Sequence, residues 1–441
     1  MAGEAGESMS GSGPVALLRD PGHAQRSTFV ELFFDLVFAF ALTRLADGLI
    51  DDLKWIDVAQ TALLLPAMWW VWTLTLWLND WLDPNHLAVQ LTIVVIMLGS
   101  LVMAAAVPEA FGRHGKFFAT AYVVTQVGRT VFFALALRGH RLQSRGWRVL
   151  FWFGLSAVPW IAGAVGHHAV RGALWAIALG MDYLAAALNY PTPGLGRSHT
   201  EDWRLAGEHL SERYRQFVII ALGETILVTG SAFSAAFTGG GSAAAVASFV
   251  TTVLLWRIYF HRSTDLIGAS GAVSRSPAGL GRLAAYTHLV IVAGIVITAV
   301  GDRIDLAHSL TPVRLAWVLA SVGGPALFVA GRALFEYTVF SGVSWSRPAG
   351  LAALAALVPL AYFPHAPTLV VALVVNAILL AVVVIDAVTS PVRPPRQGVQ
   401  PALRRTGRAA RPAGPSGLAG RANPDDMGGP AVVEGGSGPL S

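Results

Sequence analysis

Long apolar runs alternate with short polar segments along most of the chain. Twelve of these runs have about 20 mostly apolar residues, enough for an α-helix to cross a hydrocarbon layer of ~30 Å. Their approximate bounds are 29–50, 56–78, 86–107, 116–137, 147–167, 171–190, 212–231, 243–262, 281–300, 314–335, 348–364 and 367–388. The pattern predicts an all-α polytopic membrane protein with about twelve transmembrane helices. Because the eleventh run is short and the fifth and sixth are barely separated, ten or eleven spans are alternatives.

The second half of the chain repeats features of the first half in the same order. The first and seventh runs match, each with an acid inside an apolar stretch. Val127-Gly128-Arg129 in the fourth run corresponds to Ala330-Gly331-Arg332 in the tenth, and Gly99 in the third run corresponds to Gly294 in the ninth. This order predicts two tandem six-helix repeats. Since six is even, both repeats point the same way, and transporters with parallel repeats place their substrate path at the repeat interface.

These runs divide the chain into five predicted regions. They are a disordered cytoplasmic N-terminal segment (1–28), a first six-helix repeat (29–190), a cytoplasmic linker (191–211), a second six-helix repeat (212–388) and a disordered basic cytoplasmic tail (389–441). The tail is rich in Pro, Gly, Ala and Arg, and so cannot bury enough apolar surface to offset its ordering entropy. The first apolar run is long and contains acids, unlike a signal peptide. We therefore expect the first helix to remain in the mature protein.

Composition and charge agree with a membrane protein. The chain is 54% hydrophobic and 13% charged, whereas soluble domains carry about 25% charged residues. The lack of cysteine excludes disulfides, thiolate catalysis, iron–sulfur clusters and cysteine zinc sites. A net charge of +5 would suggest nucleic acid as a partner of a soluble protein. Here the basic residues lie in loops and in the tail, so we expect a lipid bilayer as partner and no nucleic acid.

The distribution of Lys and Arg predicts the orientation in the membrane. With the N-terminus inside, the inner loops and tails hold about three times as many basic residues as the outer loops, as the positive-inside rule requires. The basic residues left outside are Lys54, Arg113, Lys116, Arg171, Arg303 and Arg314. We therefore predict a bacterial plasma-membrane protein with both termini cytoplasmic.

Charged side chains inside the apolar runs are the candidate functional groups. Asp35 and Glu224 occupy matching helices, and an acid at the centre of a membrane helix costs roughly 2.5–3.5 kcal/mol on insertion scales. Asp182 is a further acid in the middle of a run, whereas His288 has a helix–helix contact as its alternative. The residues that we expect to line an ion or solute path are Glu31, Asp35, Arg129, Asp182, Arg213, Glu224, His288 and Arg332.

Depth in the membrane predicts two ion pairs. Asp35 lies roughly 9 Å from the cytoplasmic edge, and Arg129, on a helix that enters from outside, ends at a similar depth. Asp35–Arg129 in the first half and Glu224–Arg332 in the second are therefore the expected pairs. Each pair has a structural alternative, in which it only ties two helices together. Arg332 can also extend to the headgroups, and Glu31 can be an interfacial acid at a helix start.

Several segments resemble the bacterial low temperature requirement A family of membrane proteins. They are Glu31-Leu32-Phe33-Phe34-Asp35-Leu36-Val37-Phe38, Glu208-His209-Leu210-Ser211-Glu212-Arg213, Phe217-Val218-Ile219-Ile220-Ala221-Leu222-Gly223-Glu224, Ala285-Tyr286-Thr287-His288 and Gly323-Gly324-Pro325-Ala326-Leu327. Arg257 and His261 depart from the family pattern, which tends to have Trp and Asp there. The resemblance implies a multi-pass bacterial membrane protein connected with growth in the cold.

The predicted activity is secondary transport of an ion or small solute. The repeat, the embedded acids and the lack of an ATP-binding motif favour it. Phe34-Asp35 is similar to the first helix of the lysosomal potassium-channel family marked by a Phe-Ser-Asp motif, although Phe stands here in place of Ser. That similarity implies a cation channel as one alternative, and a non-transporting scaffold or enzyme in cold or stress adaptation is another. Without a phosphate loop, HExxH motif or nucleophile elbow, we expect no enzymatic activity, no cofactor and no metal.

Overall fold

Helices account for nearly all of the structure. The computed structural model of the protein describes residues 17–19, 27–49, 53–198, 207–235, 240–261, 277–340, 342–363 and 365–389. Twelve α-helices and no β-strand occur among these residues. Each helix overlaps one of the twelve predicted apolar runs, so the all-α prediction is confirmed. Most of the predicted N-terminal segment and nearly all of the predicted tail lie outside the described residues.

The helix bounds differ from the predicted runs mainly at the ends. α7 begins inside the predicted linker, and α9 extends beyond its run in both directions. The helices are α1 Phe29–Asp47, α2 Trp55–Trp81, α3 Leu87–Ala106, α4 Gly115–Ala136, α5 Gln143–Val165, α6 His168–Ala187, α7 Gly207–Ala235, α8 Gly240–Phe260, α9 Pro277–Ala307, α10 Leu315–Phe340, α11 Ser346–Tyr362 and α12 Thr368–Thr389.

By length and composition, nine of the described helices could cross a membrane. They are α2 to α6, α8 to α10 and α12. Of the other three, α11 has 17 residues, and α1 and α7 carry the acids on which the sequence prediction depends. Most of the described helices therefore support a multi-pass architecture. The charged helices α1 and α7 pack against several of these helices.

The two halves share one pattern of neighbouring helices. In the first half, α1 contacts α2 and α3, α3 packs on α4, α4 on α5, α5 on α6, and α2 reaches α4 and α6. In the second half, α7 contacts α8 and α9, α9 packs on α10, α10 on α11, α11 on α12, and α8 reaches α10 and α12. α1 also contacts α7 and α9, so the first helix of the chain joins the two halves.

Glycines allow α9 and α10 to touch through their backbones. A Cβ atom at Gly294 would lie 2.4 Å from the backbone nitrogen of Phe328, and one at Gly324 would lie 2.4 Å from that of Thr298. Such distances do not occur for real side chains, so glycine is required at both positions. The glycines at this antiparallel crossing are Gly294, Gly301, Gly324 and Gly331.

A short part of the N-terminal segment is ordered against α2. The backbone N–H of Arg19 donates to the carbonyl oxygen of Trp81 at 3.0 Å, and that of Asp83 donates to Leu17 at 2.9 Å. For residues 17–19 the prediction of disorder is therefore wrong, because the end of α2 provides partners for their backbone groups. This contact also brings Arg19 to the buried charges described next.

Candidate functional site: two charged clusters between α1 and α7

Asp35 and Arg213 form a buried ion pair between α1 and α7. Arg213 Nη2 lies 2.7 Å from Asp35 Oδ1, and the two side chains are 1% and 0% exposed. Trp72 Nε1, from α2, donates a hydrogen bond to the same oxygen at 2.8 Å. Arg213 also donates to the carbonyl oxygen of Glu31 at 3.1 Å. Three helices therefore meet at one carboxylate that has no exposed surface.

His209 lies one helical turn before Arg213 and extends this group of charges. Its Nε2 is 3.0 Å from Glu31 Oε1, and its Nδ1 is 3.2 Å from Asp80 Oδ1. Only an imidazole with a proton on both nitrogens can donate to both carboxylates. Arg19 Nη1 also approaches His209 Nε2, at 3.2 Å. We call Glu31, Asp35, Asp80, His209 and Arg213 the Asp35 cluster; all five are buried.

Glu31 has two roles at the start of α1. Its Oε2 accepts hydrogen bonds from the backbone N–H of Thr28 at 2.8 Å and from the Thr28 hydroxyl at 3.0 Å, which completes a capping box. Its other oxygen faces His209, and Arg213 Nε is 4.0 Å away. The helix-start role predicted as an alternative is therefore present, and the same side chain also belongs to the Asp35 cluster.

A second charged cluster lies further along the same two helices. Glu224 Oε1 accepts a hydrogen bond from Arg303 Nη2 of α9 at 2.9 Å, and Glu224 Oε2 accepts one from the Thr43 hydroxyl of α1. Arg303 also pairs with Asp47, which in turn is 3.1 Å from Arg44. The side chain of Glu224 is 3% exposed, whereas those of Arg303 and Asp47 are 22% and 34% exposed. This Glu224 cluster therefore leads from the surface to a buried acid.

Aromatic side chains fill the space between the two clusters. The ring of Phe217 lies 4.5 Å from that of Trp72, 5.3 Å from Trp69 and 6.3 Å from Phe38, measured between ring centres. Along α1, Asp35 and Thr43 are separated by roughly 12 Å at ~1.5 Å per residue. The contacts Glu31–His209, Asp35–Arg213 and Thr43–Glu224 occur in the same order on both helices, so α1 and α7 run parallel.

The two predicted ion pairs are wrong. Arg129 does not reach Asp35, because α2 lies between them: its Nη1 donates to Val71 O at 3.2 Å and to Thr75 Oγ1 at 3.3 Å, both on α2. Arg332 does not reach Glu224, whose basic partner is Arg303. Depth in the membrane placed Arg129 near the height of Asp35, and Arg332 nearer the membrane edge than Glu224, but it could not show which helices are neighbours.

Asp182 and Arg129 belong to a separate polar chain inside the first half. The Tyr122 hydroxyl donates to Asp182 Oδ2 at 2.8 Å, and Gln126 Nε2 donates to the Tyr122 oxygen at 3.1 Å. Arg129 Nη2 then donates to Gln126 Oε1. All four side chains are buried. This chain of hydrogen bonds connects α6 to α4 and, through Arg129, to α2.

Arg332 and His288 lie in the second half, in two different environments. Arg332 is 3.5 Å from Glu336, and Glu336 is 3.1 Å from Arg347. His288 Nδ1 donates to the carbonyl oxygen of Ala284 at 2.8 Å, its Nε2 accepts from the Tyr259 hydroxyl at 2.9 Å, and its ring stacks on Tyr214 at 4.4 Å. These contacts of His288 are those of a side chain that packs between helices, which was the alternative to a place in the path.

Sequence reasoning missed several residues of the two clusters, among them Asp80, His209, Asp47 and Arg303. Asp80 and Arg303 were placed outside the helices, because their apolar runs end before them, whereas α2 continues to Trp81 and α9 to Ala307. His209 was placed in a linker, and Asp47 at a helix end. One pattern could have indicated His209, since it continues the stripe of Arg213, Phe217 and Glu224 backwards by one turn. Within the described residues, no group of three or more side chains is arranged to hold a metal ion.

Comparison with known proteins agrees with the resemblance seen in the sequence. A protein of Rhizobium meliloti (strain 1021), described as uncharacterized, is 39% identical over 333 residues, which are 75% of this chain and 81% of that protein. No solved structure gives a significant match. The family model described as bacterial low temperature requirement A protein matches residues 26–384, a span that contains both clusters. The chain therefore belongs to the bacterial low temperature requirement A family.

Proposed function

We propose that this protein is a secondary transporter of an ion or small solute, with a path along the interface of α1 and α7. The observation that carries the proposal is the order of groups along this interface. A fully buried charged cluster lies at one end, a charged cluster that reaches the surface lies at the other, and aromatic rings separate the two. Acids inside membrane helices are costly and commonly mark ion or proton pathways.

The unequal exposure of the two clusters fits one state of an alternating-access cycle. Asp47 and Arg303 connect Glu224 with the surroundings, while Asp35 is 0% exposed. Transport requires the closed end to open in a second state, with Phe38 and Phe217 moving apart. Glu224 is then the group that an ion or proton meets first, and Asp35 is the group that the second state exposes.

The proposal includes twelve membrane spans built as two parallel six-helix repeats. A Cβ atom at Gly99 of α3 would meet the Thr125 hydroxyl at 2.2 Å, four residues before Arg129 on α4. A Cβ atom at Gly294 of α9 would meet Phe328, four residues before Arg332 on α10. The equivalent close approach in each half, the shared neighbour pattern and the parallel α1 and α7 all support a tandem duplication. Both termini are then cytoplasmic, in the bacterial plasma membrane.

A cation channel is the second candidate. The aromatic side chains around Phe217 separate the charged groups of the two clusters, and in a channel such a layer of apolar side chains would act as a hydrophobic gate. In a channel, Asp35 and Glu224 would attract cations from the two sides. Opening would move the aromatic side chains apart, so that both sides are connected at the same time.

Flux measurements in proteoliposomes separate these functions. A transporter gives saturable uptake driven by a pH or sodium gradient, whereas a channel gives ohmic single-channel currents. Glu224→Gln should abolish the activity, because the amide keeps the shape but can neither pair with a cation nor release a proton. Glu109→Gln is the matched control, since Glu109 lies at the surface beside Arg113. If a broad screen gives neither flux nor current, the proposal fails and a scaffold or enzyme takes its place.

A further inference from the structure

Two further acids lie in the last turns of α9, outside the two clusters described above. Asp302 and Asp305 are 5% and 3% exposed. They are three residues apart, so their side chains lie on the same face of the helix. Ser321 Oγ of α10 donates to Asp305 Oδ1 at 3.1 Å, and Ser248 of α8 faces Asp302. The two carboxyl groups are therefore covered by neighbouring helices that offer them only hydroxyl groups.

Neither carboxyl group has a basic partner in the described part of the chain. Arg303 stands between them in the sequence, but it pairs with Asp47 and Glu224. Asp302 Oδ2 and Ser248 Oγ are both buried, and neither of these atoms forms a hydrogen bond. A buried carboxylate without an opposite charge is costly, and a second carboxylate close by adds to the cost. Both groups cannot therefore be ionised without a large penalty.

The other charges at this end of the bundle do not compensate the two acids. Arg303 and Arg44 are matched by Glu224 and Asp47. The charged residues of α8 and α12 lie only at the opposite ends of those helices. Other titratable groups where the neighbouring helices begin or end here do not form an ion pair with either acid in the described residues; they are Lys54, Asp57, His308 and Arg314.

The first half indicates that the fold does not need acids at these positions. Counted from the corresponding glycines of α3 and α9, Val107 stands at the position of Asp302 and Ala110 at that of Asp305. Val107 and Ala110 are also buried, at 6% and 0% exposure. Apolar side chains therefore fill the same place in one half, and the two acids of the second half call for a role other than packing.

Hydroxyl groups lie between Asp302 and the Glu224 cluster. Thr252 follows Ser248 by one turn of α8, and its hydroxyl donates to Thr225 Oγ1 of α7 at 2.8 Å. Thr225 is the residue after Glu224 and is 0% exposed. A hydroxyl group can both donate and accept a hydrogen bond. The acids of α9 therefore have polar neighbours on the side of the cluster that reaches the surface.

We propose that Asp302 and Asp305 form a proton-binding site that holds at least one proton at neutral pH. The proton removes an uncompensated negative charge, and it turns one carboxyl group into a hydrogen-bond donor. Embedded acids commonly serve as proton relays in pumps and transporters. The proton enters beside Glu224, at the end of α9 that faces outward in the proposed orientation. Its role as the coupling ion rests on the proposed transport function, whereas the occupancy of the site does not.

Infrared spectroscopy of the purified full-length protein in detergent tests the occupancy. The C=O stretch of a protonated carboxyl group is separate from the bands of an ionised carboxylate. At neutral pH, Asp302→Asn combined with Asp305→Asn should remove the intensity of at least one protonated carboxyl group. Asp57→Asn is the matched control, because Asp57 lies partly exposed in the first turn of α2 at the same end of the bundle. It should leave this band unchanged.

A second pair of substitutions keeps the test valid if the asparagine variant does not fold. Asp302→Val combined with Asp305→Ala introduces the residues that the first half has at these positions, and it should cause the same loss of intensity. The inference is overturned if the protonated band is unchanged in a folded variant that lacks both acids. That result would show that both carboxyl groups are ionised at neutral pH.

Flux measurements in proteoliposomes test the coupling role separately. A variant without the two acids should lose uptake driven by a pH gradient but keep the exchange of labelled for unlabelled solute, since exchange needs no net movement of protons. Uptake that still follows the pH gradient, or the loss of exchange as well, would overturn the coupling role. If the wild-type protein transports nothing, the proposed function fails, and the infrared result still decides whether the proton site exists.

Discussion

Replacing Arg213 by Gln should lower the free energy of unfolding by about 3–5 kcal/mol, the usual cost of removing one partner of a buried ion pair. In the intact protein the Asp35 carboxylate accepts hydrogen bonds from Arg213 at 2.7 Å and from Trp72 at 2.8 Å. After the substitution the indole N–H of Trp72 remains, but the positive charge is gone. Because Asp35 is 0% exposed, water cannot replace it.

A double-mutant cycle isolates the contribution of the pair itself. We expect Asp35→Asn combined with Arg213→Gln to be less destabilised than the sum of the single variants, by about 2–3 kcal/mol, near the upper end of measured couplings. The measurement is unfolding of the purified protein in mixed micelles by increasing SDS, followed by tryptophan fluorescence.

Arg129 supplies the matched control for this cycle. Since α2 lies between Arg129 and Asp35, Asp35→Asn combined with Arg129→Gln should give additive costs, within about 0.5 kcal/mol. A strong coupling of Asp35 to Arg129, together with none to Arg213, would refute the neighbour arrangement around α1.

Three other predictions follow from the structure. Glu336→Gln should cost about 3–5 kcal/mol in the same unfolding assay, because it removes the carboxylate 3.5 Å from the buried Arg332, whereas Arg347 keeps Asp386 at 2.7 Å; an unchanged free energy of unfolding would show that Arg332 does not depend on Glu336. Gly294→Ala should destabilise by about 1–3 kcal/mol through collision with the Phe328 backbone, whereas Gly128→Ala should be tolerated, since no atom lies within 4 Å of its Cβ position. Reporters active only outside the cell should give no signal when fused to the C-terminus or to the 138–148 loop, and strong signal from either would contradict the proposed orientation.

The helices could be predicted from the sequence because length and apolarity are local properties. Twelve runs gave twelve helices, and the largest errors lie at polar ends such as that of α9, where Asp302 and Arg303 continue the helix. A helix that ends in protein contacts rather than in lipid can carry charges in its last turns. A prediction from hydropathy alone therefore places the end of such a helix several residues too early in the sequence.

The partners in the two clusters could not be predicted, because they depend on lateral packing. The sequence singled out Glu31, Asp35, Arg213 and Glu224, which the structure places along one interface. It assigned Asp35 to the wrong arginine, since depth gives only the height of a residue in the bundle. Arg213, Phe217 and Glu224 are spaced so that they lie on one face of the seventh helix. If this face is taken as the one that contacts α1, the spacing indicates Arg213 as the partner of Asp35.

The glycine contacts between α9 and α10 bear on how a local change could spread. Where two backbones touch, the close-packed pair resists sliding or separation and is expected to move as one body. Arg303 lies near the end of α9, and Arg332 of α10 follows Gly331, which packs on Ile291 in the middle of α9, roughly 18 Å from Arg303 at ~1.5 Å per residue. Any displacement of α9 that follows a change at Glu224 thus also displaces Arg332 and the carboxylate of Glu336. The charged groups around Glu224 and around Arg332 are therefore connected through the rigid backbone of the α9–α10 pair.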